Sequence, residues 1–184
     1  MQEPSLPNKL IAVDEALDAA GIAHAFGGAL ALAYYAEPRS TTDLDVNVFC
    51  SVDDYPAVAS ALSAIGVDSV TDLEKLTESG QCRLLWGRTP IDLFFAYDRL
   101  HDEMARDLRR VPFGEAKIPI LSPEHLMICK AFFDRAKDWI DIEQMMVVMD
   151  DLNIELADAW LVEILGDDHL SLARFRRLAD ELAG

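Results

Sequence analysis

The fold is decided by residues 26–49, which read FGGALALAYYAEPRSTTDLDVNVF. The end of this stretch, 43–49, alternates polar with apolar residues and predicts a β-strand, because successive side chains of a strand point to opposite faces. Asp43, Asp45 and Asn47 then share one face, and the apolar residues between them face the core. The stretch therefore predicts a half-buried strand that presents two carboxylates.

Two carboxylates at positions i and i+2 on one face of a strand lie close enough to share a hard cation. Oxygen ligands of this kind suit Mg²⁺, which also takes substrate phosphates as ligands. The alternative is an edge strand whose acids are solvated. Asp43 and Asp45 alone do not decide between these two interpretations.

The residues that precede the acids favour a phosphate ligand. Gly27-Gly28 lies between a predicted strand and a predicted helix, where backbone N–H groups can bind an anion and glycine lets it come close. Arg39 and Thr41 could hold phosphate oxygens through a guanidinium and a hydroxyl. The alternatives are a tight turn for the glycines and a surface ion pair for Arg39.

A third acid, Asp92, lies within the strand predicted over 91–96. Ile91, Leu93 and Phe95 share the opposite face of that strand. An acid in such apolar surroundings costs free energy unless it is paired or binds a metal. A metal held by Asp43 and Asp45 would explain why an acid is tolerated at position 92. We therefore interpret Asp92 as the third member of one set of acids.

Apolar periodicity and capping residues predict the other elements of the chain. The predicted helices cover 7–20, 29–36, 51–65 and 98–109, and the predicted strands cover 23–26, 43–49, 82–86, 91–96 and 116–121. Ser122-Pro123 is a strong helix start, and the pattern stays helical from there onward. We therefore predict an α/β (α+β) fold. Residues 1–121 form a small mixed sheet with flanking helices, and 122–184 form a C-terminal helical region packed on that core.

The composition excludes some classes of protein. The 184 residues include 16 Lys and Arg against 33 Asp and Glu, a formal net charge of −17. The average field therefore repels polyanions and argues against non-specific coating of nucleic acid. No apolar run reaches the roughly 18 residues of a membrane span, and the N-terminus lacks the layout of a signal peptide. We expect a cytoplasmic protein with no membrane partner.

Together, the glycine pair, the Asp-x-Asp and the later Asp92 resemble the signature of the nucleotidyltransferase superfamily of the DNA polymerase beta type. The run Arg39-x-Thr41-x-Asp43-x-Asp45 behind the glycines is most similar to small bacterial AbiEii-type toxin nucleotidyltransferases. Members of that superfamily transfer a nucleoside monophosphate. The resemblance therefore implies nucleotidyl transfer as the activity of this chain, in addition to a metal site.

The segment 122–142, SPEHLMICKAFFDRAKDWIDI, is similar to a helical segment of the same toxins that carries a Lys and then an Arg-x-Lys-Asp run. The matching positions are Lys130, Arg135, Lys137 and Asp138. The resemblance implies that the ammonium of Lys130 reaches the β- and γ-phosphates of a nucleoside triphosphate.

The spacing of charges gives a separate argument about this segment. On one continuous helix, Lys130, Asp134, Lys137 and Asp141 would share a face, because they are spaced i, i+4, i+7 and i+11. The alternative is a salt-bridged solvent face in which Lys137 and Asp141 form an i,i+4 pair. The spacing alone leaves both interpretations open.

The resemblance implies a Mg²⁺-dependent transfer of a nucleoside monophosphate from a nucleoside triphosphate to an acceptor hydroxyl. It implies that Asp43, Asp45 and Asp92 are catalytic and hold two Mg²⁺ ions, which stabilise the entering and leaving oxygens. The resemblance also implies that Asp92 receives the proton of the acceptor hydroxyl. Lys130 is implied to be catalytic because its ammonium offsets negative charge on the triphosphate. The implied nucleotide-binding residues are Gly27, Gly28, Arg39, Thr41, Lys130, Arg135, Lys137 and Asp138.

Three interpretations of the acceptor remain open. The first is tRNA, modified by the toxin of a toxin–antitoxin pair. The second is a partner protein, as for an antitoxin-type enzyme, or an aminoglycoside, and the third is a non-catalytic relative that binds a protein. The intact acid set argues against the third, and the family resemblance favours tRNA. We therefore expect a nucleoside triphosphate as co-substrate, tRNA as acceptor and a cognate antitoxin or toxin protein as partner.

Overall fold

The computed structural model describes residues 3–69 and 72–183. The chain divides into two compact units. The first unit runs to Leu30 and resumes over Ser40–Leu121, and the second comprises Ala31–Arg39 and the chain from Ser122 onward. The α/β (α+β) fold class predicted from the sequence is confirmed, and the division into domains at residue 121 stays a prediction.

Within the described residues, the first unit contains a mixed sheet of six strands. These are β1 (His24–Phe26), β2 (Leu44–Val48), β3 (Gln81–Trp86), β4 (Thr89–Phe95), β5 (Arg109–Phe113) and β6 (Ala116–Ile120). Their order is β3-β4-β2-β1-β6-β5. The pairs β2–β4 and β1–β6 are parallel, and the other neighbouring pairs are antiparallel. The sheet therefore places the two acid-bearing strands, β2 and β4, directly beside each other.

The burial of the side chains confirms the alternation predicted for β4 and for the start of β2, whereas Asn47 on the polar face of β2 is buried as well. The core-facing residues, each at most 1% exposed, are Leu44, Val46, Val48, Ile91, Leu93 and Phe95. Burying an apolar side chain of this kind contributes roughly 1.5–3 kcal/mol, which fixes the face that each strand presents. A slip of one residue would turn the whole apolar set to solvent. The acids are therefore held on the opposite face by the core.

Helices precede, separate and follow these strands along the chain. They are α1 (Leu6–Ala19), α2 (Gly28–Leu32), a 3₁₀ turn (Val52–Asp54) leading into α3 (Tyr55–Ser63), α4 (Leu73–Ser79) and α5 (Arg99–Arg106). The buried Lys9 of α1 donates hydrogen bonds to the carboxylate of Glu3 (2.5 Å), the carbonyl of Trp86 (2.7 Å) and the hydroxyl of Thr89 (2.9 Å). These bonds fasten α1 to the turn that joins β3 to β4.

The second unit contains α6 (Pro123–Phe133), α7 (Ala136–Val148), α8 (Ile154–Leu165) and α9 (Leu170–Ala183). The start of α6 at Pro123, with Ser122 as N-cap, confirms the predicted helix start. The carboxylate of Glu124 accepts a hydrogen bond from the backbone of Asn153 (3.1 Å), which joins α6 to the start of α8. In the part of the chain that the structure describes, no helix combines the length and the apolar character that crossing a membrane requires.

The continuous helix predicted across residues 130–141 is wrong. α6 ends at Phe133, and Asp134 adopts a left-handed conformation with φ 52°. Its carboxylate accepts a hydrogen bond from the indole of Trp139 (2.6 Å), which stabilises the break. The shared face predicted from Lys130 to Asp141 on one helix therefore does not exist, although the fold still brings these two residues together.

Other predicted boundaries also change. The helix predicted over 98–109 ends at Arg106, and Arg109 begins β5, which pairs in antiparallel register with β6. The helix predicted over 29–36 is the shorter α2, and the weakly patterned residues 67–80 contain α4. β5 begins with two arginines, so the local sequence pattern did not predict a strand. The conformation of this segment is determined by its pairing with β6.

Candidate active site

Two of the predicted acids, Asp45 and Asp92, lie side by side in the first unit. They are register partners on the parallel strands β2 and β4. Neighbouring strands are about 4.8 Å apart, so side chains at the same register on one face stand next to each other. The sheet therefore brings together two acids that are separated by more than 40 residues of sequence.

Asp43 lies immediately before β2 and is held by Thr41 of the same loop. The hydroxyl of Thr41 donates a hydrogen bond to the carboxylate of Asp43. The backbone N–H of Asp43 donates to the Thr41 hydroxyl oxygen (3.4 Å). Thr41 therefore orients Asp43 in this structure, a role that differs from the phosphate contact predicted for its hydroxyl.

The glycine pair lies against Asp45. Gly28 has φ +56°, and a Cβ there would be only 2.5 Å from the carboxylate carbon of Asp45. The N–H of Gly27 donates to the backbone carbonyl of Asp45 (2.9 Å), so this N–H is already used within the fold. Only glycine lets the turn approach the acid so closely. The turn thus positions Asp45, and binding of a nucleotide by Gly27 and Gly28 stays a prediction.

Asp92 is bound by a residue that the sequence interpretation missed. The guanidinium of Arg83, on β3, donates from Nε to one carboxylate oxygen (2.6 Å) and from Nη2 to the other (2.7 Å). Asp92 raises the pKa of Arg83 through these hydrogen bonds and its charge, and the charges of Asp43 and Asp45 raise it further. One guanidinium therefore lies within the electrostatic reach of all three acids.

These residues fit a divalent cation by the chemistry of their donors. Three carboxylates supply hard oxygen ligands, and Gly28 leaves the space beside Asp45 that a Cβ would fill. In residues 3–69 and 72–183, however, no group of three His, Cys, Asp or Glu side chains has a geometry that could hold a metal. Both oxygens of Asp92 face the guanidinium of Arg83 instead. The assignment of the three acids as metal ligands therefore stays a prediction.

The second unit contains the predicted Lys130 in a buried ion-pair network. Lys130 is 4% exposed, and its ammonium donates to the carboxylate of Asp141 (2.6 Å) and lies 3.7 Å from that of Asp138. Asp134, in its left-handed conformation, reverses the direction of the chain after α6. The following helix, α7, therefore places Asp138 and Asp141 next to Lys130 of α6. In this structure the ammonium thus contacts carboxylates, and its contact with phosphates stays a prediction.

Two arginines complete this network. Arg39 donates to both oxygens of Asp141 (3.1 and 3.2 Å), and Arg135 donates to both oxygens of Asp138 (2.6 and 3.2 Å). Paired guanidinium and carboxylate groups of this geometry are strong and directional. The fold therefore joins Arg39, Lys130, Arg135 and Asp138. Lys137 lies on the same helix, α7, and is exposed.

Solved structures similar to this chain carry low sequence identity. The solution structure of the antibiotic-resistance factor ANT(2'')-Ia matches with a TM-score of 0.55 and 13% identity, over 99% of this chain and 97% of that chain. The chain has the nucleotidyltransferase fold. The crystal structure of ANT(2'')-Ia with adenylyl-2''-tobramycin matches with a TM-score of 0.56 and 12% identity, over 93% and 97%. The crystal structure of the lincosamide adenylyltransferase LnuA with bound lincomycin matches with a TM-score of 0.55 and 12% identity, over 80% of this chain and 100% of that chain.

Sequence comparison adds no closer relationship. No family model matches the chain, and no curated protein matches its sequence. The resemblance to AbiEii-type toxins accordingly stays a prediction, whereas the fold rests on structural likeness. At 12–13% identity that likeness concerns the backbone architecture, so activity has to be argued from the residues themselves.

Proposed function

We propose that this protein transfers a nucleoside monophosphate from a nucleoside triphosphate to an acceptor hydroxyl. The observation that carries the proposal is the pairing of Asp45 with Asp92 at one register of β2 and β4. Gly28, the first residue of α2, lies against the carboxylate of Asp45, and Asp43 precedes β2. This acid arrangement within a nucleotidyltransferase fold supports the transfer more strongly than either feature alone.

The chain's own groups have defined roles in this proposal. Asp43, Asp45 and Asp92 would hold Mg²⁺, two ions by the family resemblance, which would offset negative charge on the reacting phosphate. The acceptor oxygen attacks the α-phosphorus while the bond to the β-phosphate oxygen breaks, and pyrophosphate leaves with the electron pair. Asp92 takes the proton of the acceptor hydroxyl, directly or through water. Gly28 keeps the carboxylate of Asp45 in place.

Lys130 and Arg39 are our candidates for contacts with the triphosphate, on the sequence resemblance. Both now bind Asp141, so a phosphate contact would exchange one anionic partner for another. Arg135, Lys137 and Asp138 belong to the same prediction. It is separate from the acid set, and its failure would leave the proposed reaction standing.

For the acceptor we propose tRNA, with the protein acting in the cytoplasm as the toxin of a toxin–antitoxin pair. The support is the resemblance of the run from Arg39 to Asp45, together with the Lys and Arg-x-Lys-Asp positions of the second unit. The acidic net charge of −17 requires that any RNA be bound through a local basic site, because the average field is repulsive.

The test combines purified protein and Mg²⁺ with each α-labelled nucleoside triphosphate. The acceptors are total tRNA, candidate partner proteins, and an aminoglycoside and a lincosamide, the last two because the structural neighbours include ANT(2'')-Ia with adenylyl-2''-tobramycin and LnuA. Label in tRNA supports the whole proposal. Label only in protein or antibiotic keeps nucleotidyl transfer but overturns tRNA as acceptor.

Variants connect the label to the acid set. Asp43→Ala, Asp45→Ala and Asp92→Ala should each reduce transfer by at least about a hundredfold while the protein stays folded, because loss of one charge-stabilising group typically costs that much. Asp102→Ala is the matched control, since Asp102 is an exposed acid of the same unit on α5. Full activity in Asp45→Ala or Asp92→Ala would overturn the assignment.

A further inference from the structure

Arg83 is a charged residue of the acid site that the proposed reaction does not use. It lies on the edge strand β3 as the register partner of Asp92. Its guanidinium spans both oxygens of that carboxylate at 2.6 and 2.7 Å. Carboxylate–guanidinium pairs with two parallel hydrogen bonds are the most specific form of this interaction. The contact therefore has a defined geometry.

The charges around Arg83 explain why a cation belongs there. Three carboxylates in one site repel each other, and a positive charge at that site lowers the repulsion. Arg83 contacts both carboxylate oxygens of Asp92, and Asp92 is the register partner of Asp45. The guanidinium thus occupies one of the carboxylates to which we assign Mg²⁺.

We propose that Arg83 is the resident counter-ion of the acid site, and that a divalent cation binds there by displacing the guanidinium from Asp92. This inference rests on the proposed function, because it takes the three acids as the metal ligands. Arg83 and the cation then compete for the same two oxygen atoms. A protein without this guanidinium should bind the cation more tightly.

The position of Arg83 permits the exchange. Its side chain is 61% exposed, and that of Asp92 is 17% exposed. An exposed arginine on an edge strand can rotate into water and regain its hydration. The guanidinium can therefore leave the carboxylate of Asp92 without becoming a buried, unpaired charge. The buried Lys130 could not leave its partners in this way, because a buried charge without a partner is strongly destabilising.

The expected effect on metal affinity is about tenfold. A unit positive charge about 6 Å from a divalent ion weakens its binding by roughly that factor in water, and salt reduces the effect. The guanidinium also blocks both oxygens of Asp92, which adds to the competition. Arg83→Gln should therefore lower the dissociation constant for Mn²⁺ about tenfold at low ionic strength.

The experiment measures Mn²⁺ binding to the full, metal-stripped chain by titration with electron paramagnetic resonance. It compares the wild type with Arg83→Gln, Arg83→Lys and Arg88→Gln. Arg88 lies in the turn between β3 and β4 and is 95% exposed, so Arg88→Gln removes the same charge from the neighbouring turn without touching Asp92. Arg83→Lys keeps the charge but loses the two-pronged contact, and circular dichroism establishes that each variant is folded.

The proposal expects tighter Mn²⁺ binding in Arg83→Gln, an intermediate affinity in Arg83→Lys and a change of less than about twofold in Arg88→Gln. Equal affinity in Arg83→Gln and the wild type overturns the displacement while leaving the proposed function intact. Equal tightening by Arg83→Gln and Arg88→Gln also overturns it, because the effect would then be one of general charge. Absence of Mn²⁺ binding in every variant at millimolar concentration overturns the metal site and, with it, the proposed reaction.

Discussion

Replacing Gly28 with alanine tests the close approach between the glycine turn and Asp45. Gly28 has φ +56°, and the new Cβ would overlap the carboxylate of Asp45. The left-handed conformation costs a residue with a side chain roughly 1–2 kcal/mol. The overlap adds a second effect, because Asp45 must move by about 1 Å or more. Such a misplacement of a reacting group lowers the rate by about a hundredfold.

Gly114→Ala is the matched control for this prediction. Gly114 has φ +58°, almost the same value, and a Cβ there would meet nothing within 4 Å. Urea denaturation should show Gly114→Ala destabilised by roughly 1–2 kcal/mol and Gly28→Ala by at least as much. Transfer of label from an α-labelled nucleoside triphosphate, together with Mn²⁺ affinity, should fall only in Gly28→Ala.

Two results would refute the reasoning. Full transfer activity in Gly28→Ala would show that the position of the Asp45 carboxylate does not matter for the reaction. An equal loss of activity in Gly28→Ala and Gly114→Ala would show that backbone strain, and not displacement of Asp45, accounts for the defect.

Three further predictions concern other residues. Lys130→Met should lower the free energy of unfolding by about 1.5–3 kcal/mol in urea denaturation, because the buried Asp141 loses one charged hydrogen-bond donor and keeps Arg39; a loss below about 0.5 kcal/mol would contradict this. Burial, with the charge of Asp92, raises the pKa of Cys82 to about 11. Alkylation of Cys82 at pH 8 should therefore be about a hundredfold slower than that of a free thiol, and its rate should still be rising about tenfold per pH unit at about pH 9.5, where a free thiol has nearly reached its plateau. Burial also raises the pKa of Asp14 above 3.8, so its contribution to stability is greatest at low pH and declines as pH rises through the folded-state pKa. The stability of Asp14→Asn relative to the wild type should accordingly increase in urea denaturation as the pH rises above about 4, and a constant difference would count against the shift.

Much of the first unit could be predicted because strand periodicity and core burial agree. Every second residue of β2, and of β4 from Ile91 to Phe95, is apolar and buried, and burial of that face fixes the orientation of Asp45 and Asp92. The turn between β3 and β4 was also predictable from Gly87-Arg-Thr-Pro90, since glycine and proline mark turns. The fold class followed from these elements.

The role of Arg83 required the pairing of strands, which periodicity alone does not provide. The antiparallel register through the β3–β4 turn sets Arg83 opposite Asp92. A four-residue turn over 87–90 would have set Leu85 opposite Asp92. The observed turn is Gly87-Arg88, with Trp86 opposite Thr89, and only that register identifies the pair. The break at Asp134 had a weaker signal, because a non-glycine residue rarely adopts a positive φ.

The assignment of Ala31–Arg39 to the second unit has a practical consequence for dividing this protein. Leu32 and Tyr35 are buried there, and Arg39 binds Asp141. A fragment that stops at Leu121 would carry these residues without the helices that cover them, and would expose apolar surface in the middle of its chain. Expression of either half alone should therefore yield an aggregation-prone product, and recombination with related proteins should exchange Ala31–Arg39 together with the helices from Ser122 onward.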